Sequence, residues 1–340
     1  MEDAVKHFLK FIAGASVAAA VAPASAATLI PVPPVPGSDY TIASAINDNN
    51  VITGVYATSD GVLHGFLGTL DGNYTTFDEP GGDTEGRGIN NAGIVMGFAA
   101  IGVGGDAPIE RFADGSIVAV TKDGAPLGFG IAGGINKKGI FVASGYDENF
   151  VDYLSFYGKN AAYTQAIAPP GFGSPHPRGI NDSKDVTGFY AGGDGLDHGF
   201  VVKSGTASTL DYPDPGSTGT FLYGIDNNGT IAGDWSDSNQ QLHSFTYDPS
   251  TSQFTLLERK HVKGGKFAQV LGGINNEGLI AVNFYAAGGS FIYCPRKPSK
   301  CPAGGIDIGP SNTVPARTVS HSGHRATLDP DRIIVSQSLR

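Results

Sequence analysis

Three histidines sit in closely similar tripeptides, His64-Gly65-Phe66, His198-Gly199-Phe200 and His243-Ser244-Phe245. If equivalent positions of a cyclic repeat protein faced one channel, these imidazoles could converge on a metal ion. The competing reading has each histidine packed between sheets and bonded to a neighbour. Carboxylates gather in two other segments, Asp78, Glu79 and Asp83 in one and Asp211 and Asp214 in the other. Paired carboxylates on one face suit acid–base work on a sugar or hold Ca²⁺; a solvated acidic rim has the same composition. His176 is a candidate proton carrier. Arg259, Lys260, His261, Lys263 and Lys266 fall within eight residues. Such a patch suits an anionic polysaccharide or a lipid head group, and equally an exposed loop. The sequence holds no G-x-S-x-G, Walker loop, strand-linked G-x-G-x-x-G or H-E-x-x-H. Spacing therefore names no nucleophile, and no cofactor is assigned.

These residues hang on an internal repeat. The pair Ile-Asn/Asp recurs at Ile46-Asn47, Ile89-Asn90, Ile135-Asn136, Ile180-Asn181, Ile225-Asp226 and Ile274-Asn275, at spacings of 43, 46, 45, 45 and 49. Each repeat reads as four short strands. In the first, Tyr40 to Ile46, Val51 to Thr58, Leu63 to Leu70 and Tyr74 to Asp78 are separated by Asn/Asp/Gly turns, which are strong hairpin signals. Asn and Asp side chains bond their own backbone two residues on, so the Asn/Asp of each pair reads as a turn former. Three residues later stand Asn50, Gly93, Gly139, Lys184, Gly229 and Gly278, mostly types that tolerate a left-handed backbone. Seven residues after the Asn/Asp the residue is mostly very small, and nine after it often aromatic: Tyr56, Tyr190, Trp235, Phe284.

Four-strand repeats of this length match propeller blades. The fold expected is all-β, a six-bladed β-propeller of four-stranded blades over residues 27–303. Thr28 to Val35 lies where every other repeat has a preceding fourth strand, so it is expected to complete the last blade and close the ring. Pro31, Pro33 and Pro34 demand an edge position there; Gly305 to Gly309 is the alternative closing strand. Residues 304–340 lose the pattern and read as a flexible tail.

Composition agrees. Gly accounts for 50 of 340 residues, about twice the usual share, and only 16 % are charged. Long helices and charge-driven disorder are excluded. A net charge of −10 is a poor match for nucleic acid. Residues 1–26 read as a signal peptide, with Lys6 and Lys10, an apolar run from Phe11 to Ala22, and the small-x-small site Ala24-Ser25-Ala26. The run is too short to span a bilayer, and no later segment approaches that length. Cys294 and Cys301 are the two cysteines, and an even count in an exported chain favours a disulfide. It would contribute about 2.5 kcal/mol by chain entropy.

The repeat consensus, G-I-N-[DN]-x-G-x-[IV]-x-G-x-[YF] followed by H-[GS]-F and T-x-D-x-P-G, resembles the HAF-repeat family of predicted extracellular bacterial proteins. The closing element is clear at Thr76 to Gly81 and Thr209 to Pro213. Repeats two, three and six depart, with Ala107, Tyr153 and Ile292 at the histidine position. The resemblance implies export and a β-repeat fold, and no reaction. The chain reads first as a secreted or periplasmic bacterial propeller, a monomer, binding an extracellular ligand or surface such as an anionic polysaccharide. The alternative is a secreted glycosidase- or lactonase-like hydrolase or lyase using the loop carboxylates, with or without a metal. A third reading is a structural component of the cell surface or biofilm.

Overall fold

The turn after each Ile-Asn pair is built by the Asn itself. Asn47 Oδ1 accepts the N–H groups of Asn49 at 3.0 Å and Val51 at 2.9 Å. The same two bonds recur at Asn90, Asn136, Asn181, Asp226 and Asn275. Three residues beyond each, the backbone turns left-handed, with φ between 60° and 85° at Asn50, Gly93, Gly139, Lys184, Gly229 and Gly278. This side-chain bonding and the left-handed residue together close a tight hairpin six times.

These hairpins open six antiparallel units in a computed structural model, which describes residues 26–80, 82–101, 105–146, 153–167, 174–257, 269–284, 289–296, 298–310 and 313–315. The expected signal segment up to residue 25, the basic segment with Arg259, Lys260, His261, Lys263 and Lys266, and residues 316–340 lie outside the described residues. In the first repeat Tyr40–Ile46, Val51–Ala57, Leu63–Thr69 and Tyr74–Phe77 form one sheet in chain order. Thr84–Ile89, Val95–Ala100, Asp106–Arg111 and Ile117–Ala119 do the same in the second. The third adds Thr121–Lys122 and Ala125–Pro126 beyond its outer strand. The fourth and fifth share one sheet through a single parallel bridge, Asp197 to Gly219.

The last sheet contains the first described strand. Ala26–Pro31 pairs antiparallel with Gly289–Cys294, Thr28 opposite Cys294 and Ile30 opposite Ile292. Leu29 and Ile30 are buried in two different core clusters. Pro31 falls at the strand's end and Pro33 and Pro34 beyond it, so no proline interrupts the pairing. Ile306–Pro310 then pairs along the other edge of Ala26–Pro31. Both segments considered for closure are therefore used. The reading of 304–340 as a tail from its first residue is corrected: Ile306–Pro310 and Thr313–Pro315 are strands, the latter against Gln253–Leu256. Cys294 and Cys301 form a disulfide in this same sheet region, with Cα atoms 6.0 Å apart.

Small residues inside strands serve close approach. A Cβ on Gly54 or Gly97 would collide with the carbonyl of Ile42 or Glu85 on the adjacent inner strand. Every innermost strand also breaks register at one place, between Ala43 and Ala45 in the first repeat and between Gly86 and Gly88 in the second. The other four follow suit. Such irregularities increase twist, here at the level where the inner strands meet. Among the described residues no helix is long and apolar enough to cross a membrane.

Candidate functional site

The Asn residues that form the turns also join the repeats. Asn47 Nδ2 donates to the Asn90 carbonyl (2.9 Å), Asn90 to Asn136 (3.2 Å), Asn136 to Asn181 (3.1 Å) and Asn181 to Asp226 (3.2 Å). Asn275 Nδ2 donates to the Asn47 carbonyl (3.0 Å), linking the last repeat to the first. These amides are 4–5 % exposed, so each link satisfies a group that would be costly to leave unpaired. Asp226 has no donor to offer. The link from repeat five to repeat six runs instead through the next residue, with Asn227 N donating to Asn276 Oδ1 at 2.9 Å.

That next residue forms a second, outer ring. Asp48 accepts from Asn276 N and Nδ2, both at 2.8 Å, and from Asn91 Nδ2 at 2.9 Å. Asp182 accepts from Lys137 N at 3.0 Å and Asn227 Nδ2 at 2.6 Å, and pairs with the Lys137 ammonium at 3.1 Å. Burial works to raise the Asp182 pKa, but the bonds from Asn227 and Lys137 and the Lys137 charge prevail and hold it below the usual carboxylate value. The two rings enclose an open cavity of about 270 Å³. Its floor is a collar of Ile46, Ile89, Ile135, Ile180, Ile225 and Ile274. Behind the collar lies a smaller cavity of about 50 Å³ lined by the same isoleucines and by glycine backbone. The signal for this site was present in the sequence, because the residue after every Ile-Asn/Asp pair is polar or charged: Asp48, Asn91, Lys137, Asp182, Asn227, Asn276.

The three histidines are not brought together. Each packs against the aromatic residue directly opposite on the neighbouring strand: His64 stacks on Tyr56 and His243 on Trp235, and His198 packs tilted against Tyr190, with ring centroids 5.0, 4.4 and 5.4 Å apart respectively. Each also takes a carboxylate of its own repeat. His64 Nδ1 meets Asp78 at 2.8 Å, His198 Nδ1 meets Asp211 at 2.8 Å, and His243 Nε2 meets Asp237 at 3.2 Å. Among the described residues no group of three or more His, Cys, Asp or Glu side chains could hold a metal ion. Of the two readings offered for His64, His198 and His243, the contacts match the one in which each is packed and bonded to a neighbour. In the first and fourth repeats, the H-[GS]-F histidine and the T-x-D carboxylate are two halves of one clamp between adjacent strands.

His198 carries the strongest such clamp, with Asp194 at 3.1 Å on its second nitrogen. Its pKa is pushed up to about 9, first by the hydrogen bond to Asp211 and against the effect of burial, with the Asp211 charge and Asp194 adding to the rise. The imidazolium thus favours the folded state. Its contribution is full below about pH 6.5 and is lost as pH rises through 9. His198→Gln is expected to cost about 1–2 kcal/mol at pH 6, allowing for solvent screening, and much less at pH 10. Urea unfolding of both proteins at the two pH values measures this; an equal cost at both would show the pair to be uncharged.

Four of the loop carboxylates are engaged one by one. Asp78 and Asp211 hold histidines, and Asp83 accepts the Leu63 N–H at 2.9 Å. Asp214 caps its own turn at Gly216 N, 2.8 Å, and the backbone N–H of Glu79 bonds Thr84 Oγ1 at 3.0 Å. The structure thus places Asp78, Glu79 and Asp83 in a different repeat from Asp211 and Asp214, with local partners in each. His176 shares a 2.8 Å hydrogen bond with Tyr153 and stacks on Phe189 at 4.9 Å.

No family model matches the sequence, and no curated protein matches it. Solved structures do. A candidate TolB from Agrobacterium tumefaciens superposes with a TM-score of 0.54 at 12 % identity, over 80 % of this chain and 98 % of its own. The fungal lectin of Aleuria aurantia, a six-bladed β-propeller that recognises fucose, gives 0.41 at 10 % identity over 86 % and 100 %. A gluconolactonase from Xanthomonas campestris gives 0.38 at 12 % identity over 81 % and 99 %. The chain is all-β with β-propeller structural neighbours. At such identities the likeness concerns fold alone.

Proposed function

We propose that this chain is a six-bladed β-propeller of four-stranded blades, exported to the periplasm or medium, that binds an extracellular ligand and does not transform it. The observation that carries this reading is the character of the axial site. Its polar groups are amides, two carboxylates and one ammonium, bonded to one another across repeats. None of these bonds has the form of a nucleophile with its base. Asp78 and Asp211 are held by histidines of their own repeats, Asp83 by a backbone N–H of the preceding repeat and Asp214 by its own turn, and none of these contacts pairs an acid with a base in the way the hydrolase reading needs. The disulfide fits an oxidising compartment, and the repeat consensus resembles that of the HAF-repeat proteins. We take a glycan or other surface component as the ligand class; the basic segment at 259–266, which suggested an anionic polysaccharide, lies outside the described residues and does not carry this reading.

Incubating the purified mature protein with a panel of oligosaccharides, lactones and phosphate esters, with mass-spectrometric product detection, tests the claim of binding without turnover. The expected result is an unchanged panel. A product whose formation stops on changing Asp83 or Asp214 to Asn would overturn it.

A further inference from the structure

We infer that the axial cavity on the Asn-turn face is the ligand seat, and that it takes one uncharged sugar unit at the end of a glycan. The inference rests on the binding reading above and adds its place and chemistry. Size sets the first limit. At about 270 Å³ the cavity lies just under the roughly 300–1,000 Å³ of pockets that enclose drug-sized ligands, which leaves room for one small cyclic unit.

Shape sets the second. The cavity is open at the turn face and blocked behind the isoleucine collar, where inner strands meet backbone to backbone. A Cβ on Gly88 would stand 2.6 Å from the Gly133 carbonyl, and one on Gly272 would stand 2.7 Å from the carbonyl of Arg87 and 3.0 Å from that of Ser44. A glycan cannot thread such an axis and can enter only by its terminus.

Chemistry sets the third. The wall is mostly asparagine amide, with two carboxylates and one ammonium, around an aliphatic floor. Sugar hydroxyls both donate and accept, so they match a wall of mixed donors and acceptors, while the C–H face of the ring suits the isoleucines. Asp48 and Asp182 come from repeats one and four, three steps apart in a cycle of six, and bring negative charge to opposite sides of the wall. The Lys137 ammonium compensates Asp182, which leaves the wall with a net negative charge at Asp48, so a carboxylated or sulfated end group gains no net attraction there.

The test is isothermal titration of the mature protein with methyl glycosides of glucose, galactose, mannose and N-acetylglucosamine, and with methyl glucuronide as the charged comparator. Two variants accompany the wild type, Asp182→Asn in the wall and Asn91→Trp at the exposed rim, with melting curves to establish folding. At least one neutral glycoside is expected to bind, with affinity lowered about tenfold or more by each folded variant. Should Asp182→Asn fail to fold, Asn91→Trp decides. Neutral glycosides binding wild type and variants equally would overturn the location while leaving the binding reading intact. Tighter binding of the glucuronide would overturn the ligand class. No heat with any glycoside would overturn the inference and the glycan form of that reading together.

Discussion

Asp234→Asn is expected to stabilise the protein at pH 8 and to change it little at pH 5. Asp234 is fully buried where repeat five meets repeat six. Ser244 Oγ donates to it at 2.7 Å, and the backbone N–H of Val270, in the next repeat, at 3.1 Å. Burial pushes its pKa up to about 7; the two hydrogen bonds and the nearby His243 pull the other way without prevailing. The folded state therefore holds a proton that the unfolded chain releases near pH 3.8. Stability is full below that pH and declines between about 3.8 and 7, where the unfolded chain loses the proton that the folded chain keeps; it levels off above about 7, once the carboxyl ionises in place. The full span is about 4 kcal/mol. An amide keeps an oxygen for Ser244 and Val270 and removes the charge, but adds two N–H groups to satisfy. A net gain of about 1–3 kcal/mol at pH 8 follows. Denaturant unfolding at pH 5 and pH 8 reads the difference, and a loss of stability at pH 8 would show the carboxylate to be well accommodated. Asp226 interrupts the Asn-to-carbonyl links at the same seam, so two acids set that junction apart from the other five.

Leu29→Ala is expected to cost about 3 kcal/mol, the usual scale for emptying a fully packed leucine site. Leu29 is 0 % exposed and sits in a cluster with Phe221, Phe284 and Tyr293 from repeats five and six. Its strand has a partner on each side, Gly289–Cys294 and Ile306–Pro310. The damage should therefore be shared: amide hydrogen exchange in both neighbours is expected to accelerate together, while Tyr40–Ile46 responds later. Val118→Ala, at 42 % exposure, serves as the comparison and should stay within about 0.5 kcal/mol. A cost for Leu29→Ala no larger than this would mean that the N-terminal strand is dispensable to the ring.

Much of the fold was legible because it is local. The left-handed residue after each turn, the glycines that clear a path for a neighbouring carbonyl, and the first repeat's strand limits all follow from periods of two residues and from turn chemistry. Closure was legible for another reason: Thr28 to Val35 occupies the slot before the first repeat that a fourth strand fills elsewhere. The site was far less so. Asn47 reads correctly as a turn former, but its second role, donating to the Asn90 carbonyl, joins residues 43 apart and leaves no local trace. The histidines were misleading for the same reason. Their recurrence suggested convergence, whereas each is packed on a neighbouring aromatic ring and bonded within its own repeat, as the competing reading had it. His64 meets Asp78, not His198. The polar residue after each Ile-Asn pair was the overlooked sign. Identical turns need no particular side chain there, yet Asp48, Lys137 and Asp182 carry the wall of the cavity.

The most direct measurement of the central claim, that this ring binds at its axis, is a crystal structure of the mature protein with the glycoside that gives the greatest heat on titration. Density for the sugar is predicted above the isoleucine collar, within hydrogen-bond reach of the wall formed by Asp48, Lys137 and Asp182. Density found only on the opposite face, among the segments that join successive repeats, would contradict it.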